Sequence, residues 1–129
     1  MMSPVTILIV DDSPTDRALL QEALLPKGFR LLSANDGDEG LETARREHPN
    51  LVLLDVILPR RNGFQVCRQL KTDEGTRDIK VVLVTSKTQP SDRFWGMKQG
   101  ADEYLTKPFT PEELLLAVER HLVPAERHA

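Results

Sequence analysis

The sequence predicts an α/β domain in which five parallel strands alternate with five helices. Short runs of β-branched residues and leucine recur along the chain, and continuous apolar runs of this kind are typical of strands buried on both faces of a sheet. Segments with apolar residues at helical spacing separate these runs. Because parallel strands joined by helices need right-handed crossovers, the helices cover both faces and the predicted sheet is doubly wound.

The predicted elements have recognisable boundaries. The strands are Val5–Val10, Arg30–Ser33, Leu51–Leu54, Val81–Thr85 and a weaker Glu103–Leu105. The first helix begins at Ser13-Pro14, a capping residue followed by proline at the first helical position. Its apolar positions at helical spacing are Ala18, Leu19, Ala23 and Leu24. The second helix follows the turn Asn35-Asp36-Gly37, and the third starts near Gly63. The fourth runs from about Ser91 to Gln99. The fifth begins with the capping box Thr110-Pro111-Glu112-Glu113.

Length and composition indicate one domain and exclude several classes of protein. The chain has 129 residues, 40% of them apolar, and a formal net charge of −3. We expect a single domain over residues 1–129, with a core of about 5–123 and a loose tail at 124–129. The single cysteine, Cys67, excludes an internal disulfide framework and a thiolate zinc cluster. The acidic balance argues against a nucleic-acid binder, and the short apolar runs without a signal peptide predict a cytoplasmic protein with no membrane span.

Polar side chains stand where the predicted strands end. Asp11-Asp12 follow the first strand, Asp55 the third, Thr85-Ser86 the fourth and Lys107-Pro108 the fifth. The carboxyl ends of parallel strands meet at one edge of the sheet, where open α/β sheets bind their ligands. The aspartates, the hydroxyls and the lysine are therefore predicted to lie together at that edge.

Three carboxylates at one edge need positive charge, unless one of them stays protonated. Two carboxylates about 5 Å apart repel by roughly 3 kcal/mol at an effective dielectric constant of ~20. A divalent ion together with Lys107 balances Asp11, Asp12 and Asp55, and oxygen-only ligands favour Mg²⁺, with Mn²⁺ as the alternative. Such a cluster is typical of phosphoryl chemistry, in which an aspartate can form an aspartyl phosphate. Asp55 is the best candidate nucleophile because it stands alone after the central strand.

Four segments at these strand ends resemble the bacterial response-regulator receiver domain, over nearly the whole chain from about Val5 to Leu122. They are ILIVDDSP at Ile7–Pro14, LVLLDVILPRRNGF at Leu51–Phe64, VVLVTS at Val81–Ser86 and GADEYLTKPF at Gly100–Phe109. The resemblance implies a flavodoxin-like (βα)5 fold with strand order 2-1-3-4-5 and helices on both faces. The stretch Asp92–Phe109 further resembles single-domain regulators of twitching motility and related chemosensory pathways.

The resemblance implies how the acidic residues work. Asp55 is the phosphoacceptor, and Mg²⁺ is bound by Asp12, Asp55 and the backbone carbonyl of Ile57. Asp11 holds the metal shell, usually through water. Ile57 departs from the methionine or asparagine often found at its position, which leaves the lifetime of the phosphoryl group open.

The resemblance also implies a switch. Thr85 hydrogen-bonds the phosphoryl group, Lys107 forms an ion pair with it, and Tyr104 matches the aromatic switch residue, although an aromatic residue on a short strand is otherwise a packing residue. Lys87, two residues after Thr85, is the second departure from the family pattern. A histidine kinase or phosphotransfer protein would donate the phosphoryl group, and the fourth helix, fifth strand and fifth helix would present the output surface. Because no further domain is predicted after Leu122, we expect output through a separate protein target, from a monomer or a phosphorylation-dependent dimer.

Two other functions are compatible with parts of the pattern. A receiver-fold binding module that works without phosphorylation would not need Asp55, Thr85 and Lys107 together. A phosphatase of the haloacid-dehalogenase type also forms an aspartyl phosphate, but Ile57 stands where those enzymes carry their general acid. We therefore expect a signalling protein and not an enzyme, apart from self-catalysed phosphorylation and dephosphorylation.

The predicted fourth helix carries an unusual group of large apolar residues. Phe94, Trp95 and Met97 form either part of the core or a patch for a partner protein, and we favour the patch. Gly96 costs this helix about 1 kcal/mol relative to alanine. That cost indicates either that another residue packs closely against Gly96 or that the helix deforms easily.

Overall fold

The computed structural model describes residues 4–122 and contains the ten predicted elements in the predicted order. The strands are β1 (Thr6–Val10), β2 (Arg30–Ala34), β3 (Leu51–Leu54), β4 (Lys80–Thr85) and β5 (Glu103–Thr106). The helices are α1 (Pro14–Leu24), α2 (Gly37–Glu47), α3 (Gly63–Thr72), α4 (Pro90–Lys98) and α5 (Pro111–Arg120). A 3₁₀ turn at Leu25–Lys27 follows α1. The predicted loose tail at 124–129 lies outside the described residues.

The strands form one sheet in the order β2-β1-β3-β4-β5, and every neighbouring pair is parallel. The prediction of a doubly wound, flavodoxin-like sheet is therefore confirmed. The interior strands β1 and β3 are buried along their whole length, whereas the edge strands β2 and β5 are partly exposed. Continuous apolar runs belong to the interior strands because both of their faces are covered by helices.

Alternation along the strands divides the core into two layers. Ile7 and Ile9 of β1 pack in the layer that includes residues of α1 and α5, while Leu8 and Val10 pack in the layer that includes residues of α2 and α3. Successive side chains of a strand point to opposite faces of the sheet, so a single strand contributes to both layers. Cys67 of α3 is fully buried, and its thiol contacts the carbonyl oxygen of Gln99 at 3.6 Å.

Local sequence determines where the helices begin. The side chain of Ser13 accepts a hydrogen bond from the backbone N–H of Asp16 at the start of α1. The predicted capping box at the start of α5 is present, because Thr110 and Glu113 each accept a hydrogen bond from the other's backbone N–H. These bonds satisfy N–H groups that have no partner within the helix.

Only some of the apolar positions noted at helical spacing in α1 are buried in the structure. Leu20 and Leu24 are buried, whereas Ala18 is exposed and Leu19 has 53% of its surface exposed. The pair Leu20 and Leu24, four residues apart, faces the sheet and turns Leu19 outward. The sequence alone could not distinguish the two, because leucines occupy both positions.

Close packing against neighbouring side chains, and not easy deformation of the helix, accounts for the glycine in α4. A Cβ atom at Gly96 would lie 2.8 Å from Cδ1 of Leu83 and 3.0 Å from Cδ2 of Tyr104. The neighbouring Phe94, Trp95 and Met97 are exposed, so they are not part of the core. None of the helices within residues 4–122 is long and apolar enough to cross a membrane.

Candidate functional site

Strand register places three of the predicted site residues side by side. Val10 of β1 pairs with Leu54 of β3, so the residues that follow, Asp11 and Asp55, lie next to each other. The backbone N–H of Asp55 donates to the carbonyl oxygen of Val10 at 3.0 Å. Lys107 is joined to the same edge by its backbone N–H, which donates to the carbonyl oxygen of Thr85 at 2.9 Å.

The ammonium group of Lys107 is the centre of the site. Its Nζ atom lies 2.9 Å from Oδ2 of Asp11, 2.8 Å from Oδ2 of Asp16 and 3.1 Å from Oδ2 of Asp55. The Asp11 and Asp55 side chains are almost fully buried. Ion pairs in such surroundings are screened little by water or salt.

Burial and charge shift the pKa values of this cluster. Burial alone would lower the pKa of Lys107, but the hydrogen bonds that its ammonium donates to Asp16 and Asp11, together with the charge of Asp55, raise the pKa above its ordinary value. Burial raises the pKa of Asp11 despite its hydrogen bond with Lys107. Lys107 is therefore an ammonium ion at neutral pH, and the Asp11 carboxylate depends on a nearby cation.

Backbone groups orient the two buried carboxylates. The N–H of Ser13 donates to Oδ1 of Asp11 at 2.9 Å, and the N–H of Ile57 donates to Oδ1 of Asp55 at 3.1 Å. Each carboxylate therefore has one oxygen held by the backbone and the other by Lys107. The Ile57 side chain itself is exposed at the rim of the site.

The structure places Asp12 differently from the other two aspartates. Its side chain is exposed, and the Lys107 ammonium lies between Asp11 and Asp55. Within residues 4–122, no three acidic, histidine or cysteine side chains are grouped closely enough to enclose a metal ion. The chemistry of the donors nevertheless fits Mg²⁺, because carboxylates and a backbone carbonyl are the hard oxygen ligands that this ion prefers.

Thr85 and Tyr104 meet at one residue of the loop that follows β4. The hydroxyl of fully buried Thr85 accepts a hydrogen bond from the N–H of Lys87 at 3.4 Å. The hydroxyl of Tyr104 donates to the carbonyl oxygen of Lys87 at 2.7 Å. Burial, and then the charge of Asp92, raises the pKa of Tyr104. Both predicted switch residues therefore hold the backbone of the same residue, one on each side of its Cα atom.

The structure adds Asp16 to the site, and it adds a backbone role for Lys87, which the sequence marked only as a departure from the family pattern. Asp16 lies in the first turn of α1, where an acidic residue is common because it complements the helix dipole. Lys87 acts through its backbone, which gives no sequence signal. The only available signal for Asp16 was its position four residues after Asp12, on the first turn of a helix that starts at the site.

The fold and this cluster define a class of protein. A doubly wound sheet with paired aspartates after β1, an aspartate after β3, a hydroxyl at the end of β4 and a lysine after β5 is a receiver domain. The chain belongs to the response regulator receiver domain family, whose model matches residues 7–119. It is therefore a response regulator domain of the two-component signalling type, and not an enzyme in the ordinary sense. The resemblance seen in the sequence is confirmed.

Known proteins of this family are similar along most of the chain. Protein PilH of Pseudomonas aeruginosa is 47% identical over 112 residues, which cover 87% of this chain and 93% of that protein. The structure of the BeF3-activated DrrB receiver domain matches with a TM-score of 0.83 and 33% identity, covering 92% of this chain and 97% of that one. The chemotaxis protein CheY4 of Vibrio cholerae matches with a TM-score of 0.86 and 29% identity, covering 93% and 100%. Several other relatives, including DNA-binding regulators, are matched over only about half of their length.

Proposed function

We propose that Asp55 accepts a phosphoryl group from the phosphohistidine of a histidine kinase or phosphotransfer protein. The observation that carries this proposal is the contact between a buried Asp55 carboxylate and the Lys107 ammonium, 3.1 Å apart. A carboxylate oxygen of Asp55 attacks phosphorus, the P–N bond of the donor breaks, and its electron pair returns to the imidazole. Lys107 stabilises negative charge on the phosphoryl oxygens.

Mg²⁺ is the metal that the donor set favours for this reaction, and Mn²⁺ has the same preference for oxygen ligands. Asp12, Asp55 and the backbone carbonyl of Ile57 would hold it, with Asp11 acting through water. The bound ion would supply positive charge to the phosphoryl oxygens. The N–H of Ser13 fixes Oδ1 of Asp11, and Oδ2 already contacts the Lys107 ammonium at 2.9 Å.

Phosphorylation would reorganise the loop after β4. The Thr85 hydroxyl would donate to a phosphoryl oxygen, and its movement toward that oxygen would break the hydrogen bond that it accepts from the N–H of Lys87, which is long at 3.4 Å. Lys87 connects this change to Tyr104 through its carbonyl and to Asp92 of α4 through its side chain, at 3.6 Å. Because Gly96 packs against the Tyr104 ring, α4 responds to movement of that ring.

The surface of α4, β5 and α5 would then bind a downstream protein target. Exposed apolar residues are present on both helices, namely Phe94, Trp95 and Met97 on α4 and Leu116 on α5. We propose a cytoplasmic role in motility or chemosensory signalling, with output through a separate protein. The receiver would act as a monomer or as a dimer formed on phosphorylation.

Labelling with a small phosphodonor tests Asp55. We expect wild-type protein to take up label from radioactive phosphoramidate only with Mg²⁺, and Asp55→Asn to take up none. Asp78→Asn is the matched control, because Asp78 is exposed and lies outside the site. Magnesium-dependent labelling of Asp55→Asn at the wild-type level would refute the assignment.

The two alternative functions predict different results. A phosphorylation-independent module would show no chemical-shift change at Thr85 and Tyr104 when beryllofluoride and Mg²⁺ are added. A phosphatase would hydrolyse a generic phosphate ester with turnover. We expect shifts at both residues and no turnover.

A further inference from the structure

Lys107 has one more carboxylate partner than the predicted site requires. Its ammonium has three N–H donors, and within residues 4–122 these are shared among Asp11, Asp55 and Asp16. The contact with Asp16, at 2.8 Å, is the shortest of the three, and the contact with Asp55, at 3.1 Å, is the longest. The lysine is therefore held toward α1 as well as toward the phosphoacceptor.

Asp16 differs from the other two carboxylates in its surroundings. Asp11 and Asp55 follow strands and are almost fully buried, whereas the Asp16 side chain is 36% exposed on the first turn of α1. Together with Lys107 and Leu19, Asp16 lines a cavity of about 400 Å³ that is open to solvent. Water can therefore solvate the Asp16 carboxylate when Lys107 leaves it.

We propose that Asp16 restrains Lys107 by competing with the phosphoryl group on Asp55 for its ammonium. The inference rests on the proposed function, because it requires that Asp55 is the phosphoacceptor. Each phosphoryl group transferred brings oxygens that need the charge and N–H donors of Lys107. Sharing that ammonium with Asp16 reduces its stabilisation of the transition state, so Asp16 slows phosphorylation and weakens binding of a phosphoryl mimic.

The test compares charge removal at two positions of the same helix. Asp16→Asn removes the charge that contacts Lys107. Glu22→Gln removes an equal charge from an exposed position six residues further along α1, about 9 Å along the helix axis. Two quantities are measured with Mg²⁺: the labelling rate with phosphoramidate and the affinity for beryllofluoride, followed by ¹⁹F NMR.

We expect Asp16→Asn to raise both quantities roughly two- to five-fold, which is the scale of one partly exposed charge pair. Glu22→Gln should change them less than about 1.5-fold, and Asp16→Glu should restore the wild-type values because a longer carboxylate still reaches the lysine. The increase should persist in high salt, since a contact pair is screened less than a distant charge. A merely structural role for Asp16 would not raise affinity for the mimic.

The outcomes separate this inference from the proposed function. If Asp16→Asn behaves like Glu22→Gln, or labels more slowly than wild type, the restraint on Lys107 is refuted while Asp55 stands as phosphoacceptor. If Asp55→Asn is labelled as well as wild type, the proposed function fails and the restraint fails with it. Urea unfolding of each variant shows whether it is folded, and Asp16→Ala replaces Asp16→Asn if the latter is not.

Discussion

The two halves of the site are held together by different kinds of interaction. The charged half consists of Asp11, Asp16, Asp55 and Lys107, whose carboxylates surround one ammonium at 2.8–3.1 Å. The hydroxyl half consists of Thr85, Lys87 and Tyr104, which are joined by two hydrogen bonds between neutral groups.

This difference separates the part that receives charge from the part that moves. Buried opposite charges are costly to separate, because any partner left alone is poorly solvated. Hydrogen bonds between neutral groups contribute only about 1 kcal/mol each, so the loop that carries Lys87 can exchange them. In the proposed function, the charged half receives the phosphoryl group, and the hydroxyl half is the part that can report its occupancy.

Removal of the central cation should have the largest effect on stability. We expect Lys107→Met to lower the free energy of unfolding by about 2–4 kcal/mol at pH 7, because it leaves buried carboxylates unpaired. The loss should be smaller at pH 5, since Asp11, whose pKa is already raised, then takes up a proton more readily in the folded protein. Urea unfolding followed by circular dichroism measures both values.

A matched substitution shows whether the loss of stability is specific to the lysine of the charged half. Lys27→Met removes a charge from an exposed residue of the 3₁₀ turn, and it should change stability by less than about 0.5 kcal/mol. An equal loss in both variants would mean that the carboxylates around Lys107 do not depend on it.

Ile57 at the rim of the charged half should control the lifetime of the aspartyl phosphate. Its side chain is 55% exposed and apolar, so it cannot hydrogen-bond a water molecule that attacks the phosphoryl group. We expect slow loss of label in the wild type and loss roughly ten-fold faster in Ile57→Asn, equivalent to about 1.4 kcal/mol in the barrier. Ile57→Leu is the control that keeps the apolar character.

Release of label from filter-bound protein, with no phosphatase present, measures this lifetime. A wild-type half-life of seconds that is unchanged in Ile57→Asn would contradict control of the lifetime by the side chain at position 57.

The hydroxyl half should respond more weakly in the unphosphorylated protein. We expect Tyr104→Phe to lower the free energy of unfolding by about 1 kcal/mol, the contribution of its hydrogen bond to Lys87. Thr85→Val should cost less, because the bond to the Thr85 hydroxyl is longer. Both variants should still take up label on Asp55, whereas a loss of labelling in Tyr104→Phe would place Tyr104 in the phosphoryl chemistry itself.

The pKa of the Tyr104 phenol can be measured by titration of the folded and the unfolded protein. The chain contains one tyrosine, so absorbance at 295 nm during alkaline titration reports Tyr104 alone. Because burial raises its pKa, folded protein should ionise at higher pH than urea-unfolded protein. The unfolded phenol loses its proton first, so the free energy of unfolding should fall as the pH rises above the ordinary tyrosine value of about 10.

Sequence patterns were sufficient for the strands and for three residues of the charged half. Runs such as Leu51–Leu54 are buried on both faces, and side chains that follow parallel strands must meet at one edge. Asp11, Asp55 and Lys107 could therefore be grouped without a structure. The exposed Leu19 and buried Leu20 could not be distinguished, because adjacent leucines satisfy a helical pattern equally well.

The sequence by itself determined the order of elements and the residues that end each strand, since both depend on local periodicity and on the parallel sheet. Only the tertiary structure showed that Asp16 reaches Lys107 across 91 positions of the chain, and that Tyr104 bonds the carbonyl of Lys87. The first contact depends on how α1 rotates on the sheet. The second uses a backbone group that every residue possesses, so no side-chain pattern can encode it.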